Sequence, residues 1–185
     1  MHVRHATPDD IHTIAAMSTR VQAKLTASGS LQEFGPLPVD VVAARVAAGT
    51  AYVLDGGAGQ ILGGVFVAPI TDETESKMRL WGLAELPGTI FFLEKLMIEP
   101  GEQGYGLGYA LLDGIKLLVL AAPDDTIVLD CWAGNDTLRA FYTRAGFHLH
   151  GVFPAGTPLG TFEVAVFVYR RRAENEESAG GQEGE

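Results

Sequence analysis

The feature that most constrains the fold of this chain is residues 93–109, with the sequence LEKLMIEPGEQGYGLGY. A short apolar run ends at Pro100, a glycine-rich turn follows over residues 103–108, and a helical pattern then begins. Glycines let a backbone approach a ligand closely, and the free N–H groups at the start of a helix attract anions. The stretch therefore predicts a β–turn–α unit that can hold a phosphate. The alternative is a glycine-rich turn that binds nothing.

Composition limits the class of protein to which this unit can belong. The chain has 185 residues, of which 47% are apolar and 19% charged, and this balance is typical of one soluble domain. No apolar run approaches the roughly 18–20 residues of a membrane helix, and the N-terminal residues lack a hydrophobic signal core, so we expect a cytoplasmic location. Cys131 is the single cysteine and the histidines show no metal spacing, so neither a disulfide nor a metal is expected.

Charge divides the chain into two parts. The formal net charge is −10, which argues against nucleic acid as a partner. Residues 173–185 contain five Glu and no Lys or Arg, and such a segment cannot bury a core. We therefore predict one domain over residues 1–172 and a disordered acidic tail over residues 173–185. A homodimer is the expected assembly only because dimers are the commonest oligomers.

Hydrophobic periodicity and turn signals predict the element order β-α-α-β-β-β-α-β-α-β-β. Strands that surround helices in this order favour an α/β fold, with a mixed central sheet of about six to seven strands flanked by helices. Two long connections, residues 27–38 and 69–88, are predicted as loops. Loops of this length in a small domain are often functional, so we expect the second to border the substrate site, although neither carries a readable motif.

Two motifs lie in this frame in a fixed order. Gln103, Gly106 and Gly108 fit the pattern Q/R-x-x-G-x-G/A, and residues 135–147 fit N-x5-(F/L)-Y-x3-G-F. Together they resemble the GNAT superfamily of N-acetyltransferases, and the close resemblance covers residues 93–153. It implies a GNAT-like fold, acetyl-CoA as cosubstrate, and transfer of the acetyl group to an amine of a small molecule or peptide. A dinucleotide fold would require G-x-G-x-x-G after the first strand and a P-loop would require G-K-[ST], and both patterns are absent.

The resemblance also implies which residues contact the cosubstrate. The strand before the turn would diverge from its neighbour and offer backbone groups to the pantetheine arm, and the turn would hold the pyrophosphate. Helix residues downstream would complete the site. The implied cofactor-binding residues are Leu96, Met97, Ile98, Gln103, Gly104, Tyr105, Gly106, Leu107, Gly108, Tyr109, Asn135 and Tyr142.

Two side chains are candidates for proton transfer. The resemblance places a general acid at Tyr142, which would protonate the departing thiolate. The alternative is a tyrosine that packs in the core. Glu94 is the candidate base, because period-two alternation puts it on the same face as Leu96 and Ile98. It could equally pair with a neighbouring Lys or Arg.

The acceptor and even the activity stay open at this point. The same fold can serve as a non-catalytic acyl-CoA-binding regulatory module, and an ordinary α/β domain whose turn binds nothing is a third possibility. The acceptor could be a small amine, an antibiotic, an amino acid or a protein N-terminus. Glu33, Asp72 and Glu73 are loop carboxylates that could hold a cationic acceptor or simply be solvated.

Overall fold

The structure, a computed structural model, describes residues 1–30, 34–157 and 160–171. The predicted tail and Glu33 lie outside these residues. The helices are α1 (Ile11–Ala27), α2 (Val39–Ala47), α3 (Asp72–Leu80), α4 (Leu107–Val119) and α5 (Asp136–Arg144). The strands are β1 (His2–His5), β2 (Ala51–Gly57), β3 (Gln60–Pro69), β4 (Ile90–Ile98), β5 (Thr126–Trp132), β6 (His148–Thr157) and β7 (Gly160–Arg170).

All seven strands form one open sheet in the order β1-β2-β3-β4-β5-β7-β6. The neighbouring strands are antiparallel except for β4 and β5, which run parallel and are joined by α4. A parallel pair needs such a crossover, because the chain leaves the first strand at one end of the pair and must enter the second strand at the opposite end. The prediction of a mixed α/β fold with six to seven strands is confirmed.

Helices cover both faces of the sheet. Leu111 and Ile115 of α4 pack with α5 on one face, in a core that includes Leu93 and Leu129. On the other face α1 and α2 pack over β2, β3 and part of β4, and α3 packs over the remaining strands with Met78 fully buried. Within the described residues no helix is long and apolar enough to cross a membrane.

The second predicted loop is wrong over much of its length. Residues 72–80 form α3, and Trp81, which follows it, is only 4% exposed. Thr71 caps the start of this helix, and its backbone N–H donates to the hydroxyl of Thr74 at 2.8 Å. Among the α3 residues whose burial the structure describes, only Met78 is buried, so the segment lacks the apolar repeat by which an amphipathic helix is recognised. Asp72 and Glu73 therefore lie at the start of a helix and not in a loop.

Candidate active site

The central feature of the site is a gap between the parallel strands, which we call the wedge. β4 and β5 pair from Ile90 with Thr126 to Leu93 with Leu129, and the pairing then stops. Beyond this point β4 continues beside β3, whereas β5 continues beside β7. The wedge lies between residues 94–98 of β4 and residues 130–132 of β5. The predicted divergence of the strand before the turn is confirmed. Within the described residues, it leaves one backbone edge of each strand without a neighbouring strand.

A β-bulge in β4 changes which side chains face each helix layer. Phe66 pairs with Glu94 and Gly64 pairs with Met97, so β4 has one more residue than β3 over this interval. Lys95 takes up the extra residue with a positive φ of 57°, which is unusual for a residue other than glycine. Alternation is therefore interrupted between Glu94 and Leu96.

The bulge makes the prediction about the face of Glu94 wrong. Leu96 and Ile98 pack against the core under α4, whereas Glu94 forms an ion pair with Arg45 of α2 on the opposite face. The alternative in the sequence analysis, a partner among neighbouring basic residues, is the arrangement found. Arg45 also lies over the ring of Phe66, at 5.7 Å from its centroid, so the pair is held against the sheet.

The glycine-rich turn joins the wedge to α4 and forms an open cradle. Gly104 and Gly106 have φ values of 96° and 78°, a left-handed backbone that favours glycine. No heavy atom lies within 4 Å of the place where a Cβ on either glycine would stand. Among the described residues, none accepts a hydrogen bond from the backbone N–H groups of residues 103–108. These donors and the N-terminal dipole of α4 make the cradle suitable for an anion.

Two residues of the motif have structural roles beside the cradle. The side-chain amide of Gln103 donates to the carbonyl of Ile98 at 3.1 Å and so ties the turn to the end of β4. A Cβ on Gly108 would lie 3.0 Å from the ring of Phe141, so glycine here lets α4 approach α5 closely. The ring of Tyr109 contacts the same phenylalanine in a tilted arrangement, with centroids 4.8 Å apart. Tyr105 is 77% exposed at the tip of the turn.

The second motif forms α5 and the turn that precedes it. The side chain of Asn135 accepts a hydrogen bond from the N–H of Leu138 at 3.0 Å and so caps the start of α5. Arg139, one turn later, donates weakly to the carbonyl of Ala133 at 3.3 Å. Its Nε is buried and has no hydrogen-bond partner among the described residues. An unpartnered buried donor is rare in proteins and fits a site that is completed by a ligand.

Tyr142 lies behind the wedge, on the same face as α4. It is 4% exposed, and its ring contacts the rings of Phe141, Phe147 and Phe167. Burial raises the pKa of its hydroxyl well above the usual value, and the neighbouring Cys131 and Asp130 add to the increase. The phenol is therefore fully protonated at neutral pH. Its position fits both the catalytic and the packing interpretation made from the sequence.

Cys131 is buried, as expected of a core thiol. Burial, together with the charge of Asp130, raises the pKa of this thiol to about 12. A thiol with such a pKa carries almost no thiolate at neutral pH, so Cys131 is a poor nucleophile. The site thus lacks an activated cysteine.

The face of the sheet that carries Glu94 also holds a cavity of about 450 Å³. Its lining residues are Gln22, Phe34, Gly35 and Lys95. Lys95, the bulge residue, donates to the carbonyl of Phe34 at 2.6 Å, and Gln22 accepts from the N–H groups of Phe34 and Gly35. The first long connection, in its described part, is therefore fixed beside the wedge.

Asp130 also lies at the wedge, although the sequence did not indicate it as a candidate site residue. It is the first residue of β5 beyond the last pair with β4, and its strand neighbours Leu129 and Cys131 are buried under α4 and α5. Burial raises its pKa, and nearby Glu94 raises it further. In the sequence it is one acid inside an apolar run, TIVLDCW. The one signal that could have identified it is the rarity of a charged residue within a buried strand.

The predicted site residues thus fall into two groups. The cradle residues, the β4 residues Leu96, Met97 and Ile98, and the α5 residues Asn135 and Tyr142 border one continuous region around the wedge. Glu94 lies at the wedge but on the other face.

Comparison with solved structures identifies the fold. The chain is similar to an acetyltransferase of the GNAT family from Listeria monocytogenes, with a TM-score of 0.71 at 23% identity, covering 91% of this chain and 94% of that one. It is similar to a ribosomal-protein-alanine N-acetyltransferase from Brucella melitensis, with a TM-score of 0.67 at 17% identity, covering 92% and 100%. It is also similar to NAA60 from Arabidopsis thaliana, which was crystallised with acetyl-CoA. The TM-score is 0.64 at 16% identity, and the match covers 91% of this chain and 98% of that one.

No protein-family model matches the sequence, and no curated protein matches it either. The structural likeness shows that the chain has the fold of the GNAT acetyltransferases, as the two sequence motifs implied.

Proposed function

We propose that this protein transfers the acetyl group of acetyl-CoA to an amine of a small molecule or peptide, by direct attack of the amine on the thioester. The observation that carries the proposal is the wedge, which leads from the free N–H groups of the cradle to Tyr142. A fold shared with GNAT acetyltransferases, one of them crystallised with acetyl-CoA, supports the same function.

The residues present fit this cosubstrate. The N–H groups of residues 103–108, which find no acceptor among the residues that the structure describes, are suited to the pyrophosphate. The backbone edge of Leu96, Met97 and Ile98 that lacks a strand neighbour suits the amide groups of the pantetheine arm. The buried Nε of Arg139 gains a partner if a polar group of the ligand lies near the end of β5.

Bound acetyl-CoA supplies an activated acyl group, and the chain supplies the proton transfers. Tyr142 is protonated and close to the wedge, so it can donate a proton to the departing sulfur. The raised pKa of Cys131 disfavours an acetyl-cysteine intermediate, which supports one direct transfer. A base at the wedge must accept the proton of the amine, directly or through a water molecule. Glu94 was the sequence candidate, but Arg45 already engages it.

The test is free-thiol release from acetyl-CoA in the presence of a panel of primary amines and short peptides, combined with thermal melting. Free acetyl-CoA at 100 times its Kd stabilises a binding protein by about 2.7 kcal/mol. For a chain of this size the melting midpoint should rise by roughly 5–11 °C.

The outcomes separate the rival functions. Stabilisation with thiol release that depends on one amine class supports the proposal. Stabilisation without any release would identify the regulatory acyl-CoA-binding module. No stabilisation by acetyl-CoA would mean that the cradle binds nothing, and it would overturn the proposal.

A further inference from the structure

Helix α1 carries polar side chains along both edges of its buried face. The buried stripe packs in the core over β2, β3 and part of β4, and it consists of Ile14, Met17 and Val21. Helical spacing places Ser18 and Gln22 on one side of this stripe, and Arg20 and Lys24 on the other side. The helix can therefore contact a different segment of the chain along each edge.

The edge with Ser18 holds the connection that follows α1. The hydroxyl of Ser18 accepts a hydrogen bond from the N–H of Leu37 at 2.8 Å. The side-chain oxygen of Gln22 accepts from the N–H groups of Phe34 and Gly35, at 2.8 and 3.0 Å. Because its apolar stripe is buried and this edge is hydrogen-bonded, α1 is a fixed element on which another segment can be held.

The edge with Arg20 holds the segment that leads from β4 into the cradle. Nε and Nη2 of Arg20 donate to the two carboxylate oxygens of Glu99, at 2.8 and 2.7 Å. Nζ of Lys24 donates to the carbonyl of Pro100 at 3.2 Å. Glu99 directly follows β4, and Pro100 begins the short 3₁₀ turn that precedes Gln103. Side chains of α1 therefore fix the entrance of the cradle.

The cradle itself is an open stretch of backbone. A Cβ on Gly101, Gly104 or Gly106 would meet nothing within 4 Å, and the N–H groups of residues 103–108 find no acceptor among the described residues. Glycine leaves a backbone more accessible conformations than any other residue, so such a stretch loses much entropy when it is held in one of them. A contact that fixes the entrance raises the fraction of molecules in which these N–H groups face one anion.

We propose that Arg20 is a positioning residue for acetyl-CoA, which acts through Glu99 and does not itself contact the ligand. The inference rests on the proposed binding of acetyl-CoA at the cradle. The two side chains are 48% and 25% exposed, and an exposed ion pair changes a conformational equilibrium by up to about fivefold. Because affinity falls in proportion to the fraction of binding-competent molecules, loss of the pair weakens binding by no more than this factor.

A direct effect of charge would give a different pattern. If Arg20 attracted the phosphates through space, loss of its charge would weaken CoA binding, whereas loss of the Glu99 charge would strengthen it. If the pair positions the entrance, loss of either partner weakens binding, because each change removes the same contact.

Calorimetry of CoA with Arg20→Gln, Glu99→Gln and the double variant separates these interpretations. We expect the Kd to rise about two- to fivefold in each single variant, and no further in the double variant. The matched control is Arg79→Gln, since Arg79 forms an exposed ion pair with Glu75 within α3, and its Kd should equal that of the wild type. In initial rates, the two single variants should show the same rise in KM for acetyl-CoA at unchanged kcat.

Three results would overturn the assignment. Tighter CoA binding by Glu99→Gln than by the wild type would mean that Arg20 acts by charge alone. An unchanged Kd in either single variant would leave the ion pair with a role in stability only. A fall in kcat at constant KM for acetyl-CoA would place Arg20 in the transfer step.

Failure of this assignment is distinguishable from failure of the proposed function. The three contrary results all require a wild type that binds CoA, so they leave acetyl-CoA as the cosubstrate and remove only the role of Arg20. If the wild type does not bind CoA at all, the proposed function and the role of Arg20 fail together.

Discussion

Tyr142 has a ring and a hydroxyl with separable roles. The ring contacts Phe141, Phe147 and Phe167, and these contacts stabilise α5 against the sheet. The hydroxyl keeps its proton because burial raises its pKa. A change that removes only the hydroxyl therefore tests the chemistry without disturbing the packing.

For Tyr142→Phe we expect kcat to fall about 100-fold, because the leaving sulfur loses its proton donor, while the Kd for CoA stays the same. Initial rates across a pH series and calorimetry measure the two quantities. Tyr52→Phe is the matched control, since Tyr52 is another buried tyrosine of the same core that packs on His5, away from the wedge. Equal turnover by Tyr142→Phe and wild type at every pH would assign Tyr142 to packing alone.

Two residues near the wedge have positions that could not be predicted from the sequence. The face of Glu94 could not be derived, because alternation fails at Lys95 and a positive φ at a lysine leaves no mark in the sequence. Asp130 was missed because a single acid in a strand is indistinguishable from a solvated edge residue until the neighbouring strands are known. By contrast, Asn135 and the glycines of the cradle were found, since caps and left-handed turns select residue types locally.

At the scale of elements, the function depends on the start of α4. Its first residue, Leu107, follows Gly106, whose positive φ turns the chain so that the N–H groups of residues 103–108 have no hydrogen-bond acceptor in the described part of the chain. α4 also crosses between β4 and β5, so the cradle and the wedge are set by the same crossover.

Gly106→Ala should weaken CoA binding at least about tenfold, because a side chain in this backbone conformation costs roughly 1–2 kcal/mol and shifts the N–H groups of the cradle. The matched control is Gly49→Ala at the end of α2, where φ is 68° and a Cβ would likewise meet nothing within 4 Å. Both variants should lose similar stability in urea, but only Gly106→Ala should change the CoA affinity measured by calorimetry. Equal affinities in the two variants would contradict the cradle.

Element prediction succeeded where the pattern was periodic and failed where it was not. α4 was recognisable because Leu111 and Ile115 repeat at helical spacing, and the structure buries both. α3 was missed because Met78 is the one buried residue among those of α3 whose burial is described, so no apolar repeat marks the helix. It depends instead on the Thr71 cap and on contacts of Trp81 that no local pattern reveals. The order of the strands along the chain followed from periodicity and turn signals, whereas the end of the β4–β5 pairing is a property of the folded sheet.

At the scale of the whole molecule, the sheet consists of two parts. Strands β1 to β4 form one part, and β5, β7 and β6 form the other. They pair only from Ile90 to Leu93 and from Thr126 to Leu129, and α4 bridges them on one face. A ligand in the wedge would add contacts to both parts at the point where their backbones separate.

Binding of acetyl-CoA should therefore slow amide exchange in residues 94–98 and 130–132 together. If exchange occurs from the unliganded form, free ligand at 100 times its Kd lowers the population of that form, and the rates should fall by up to about 100-fold. Hydrogen–deuterium exchange with mass spectrometry measures this directly. Peptides from β1, at the far edge of the sheet, serve as the internal control. Protection confined to residues 103–108 would mean that the ligand touches the cradle alone and leaves the two parts of the sheet uncoupled.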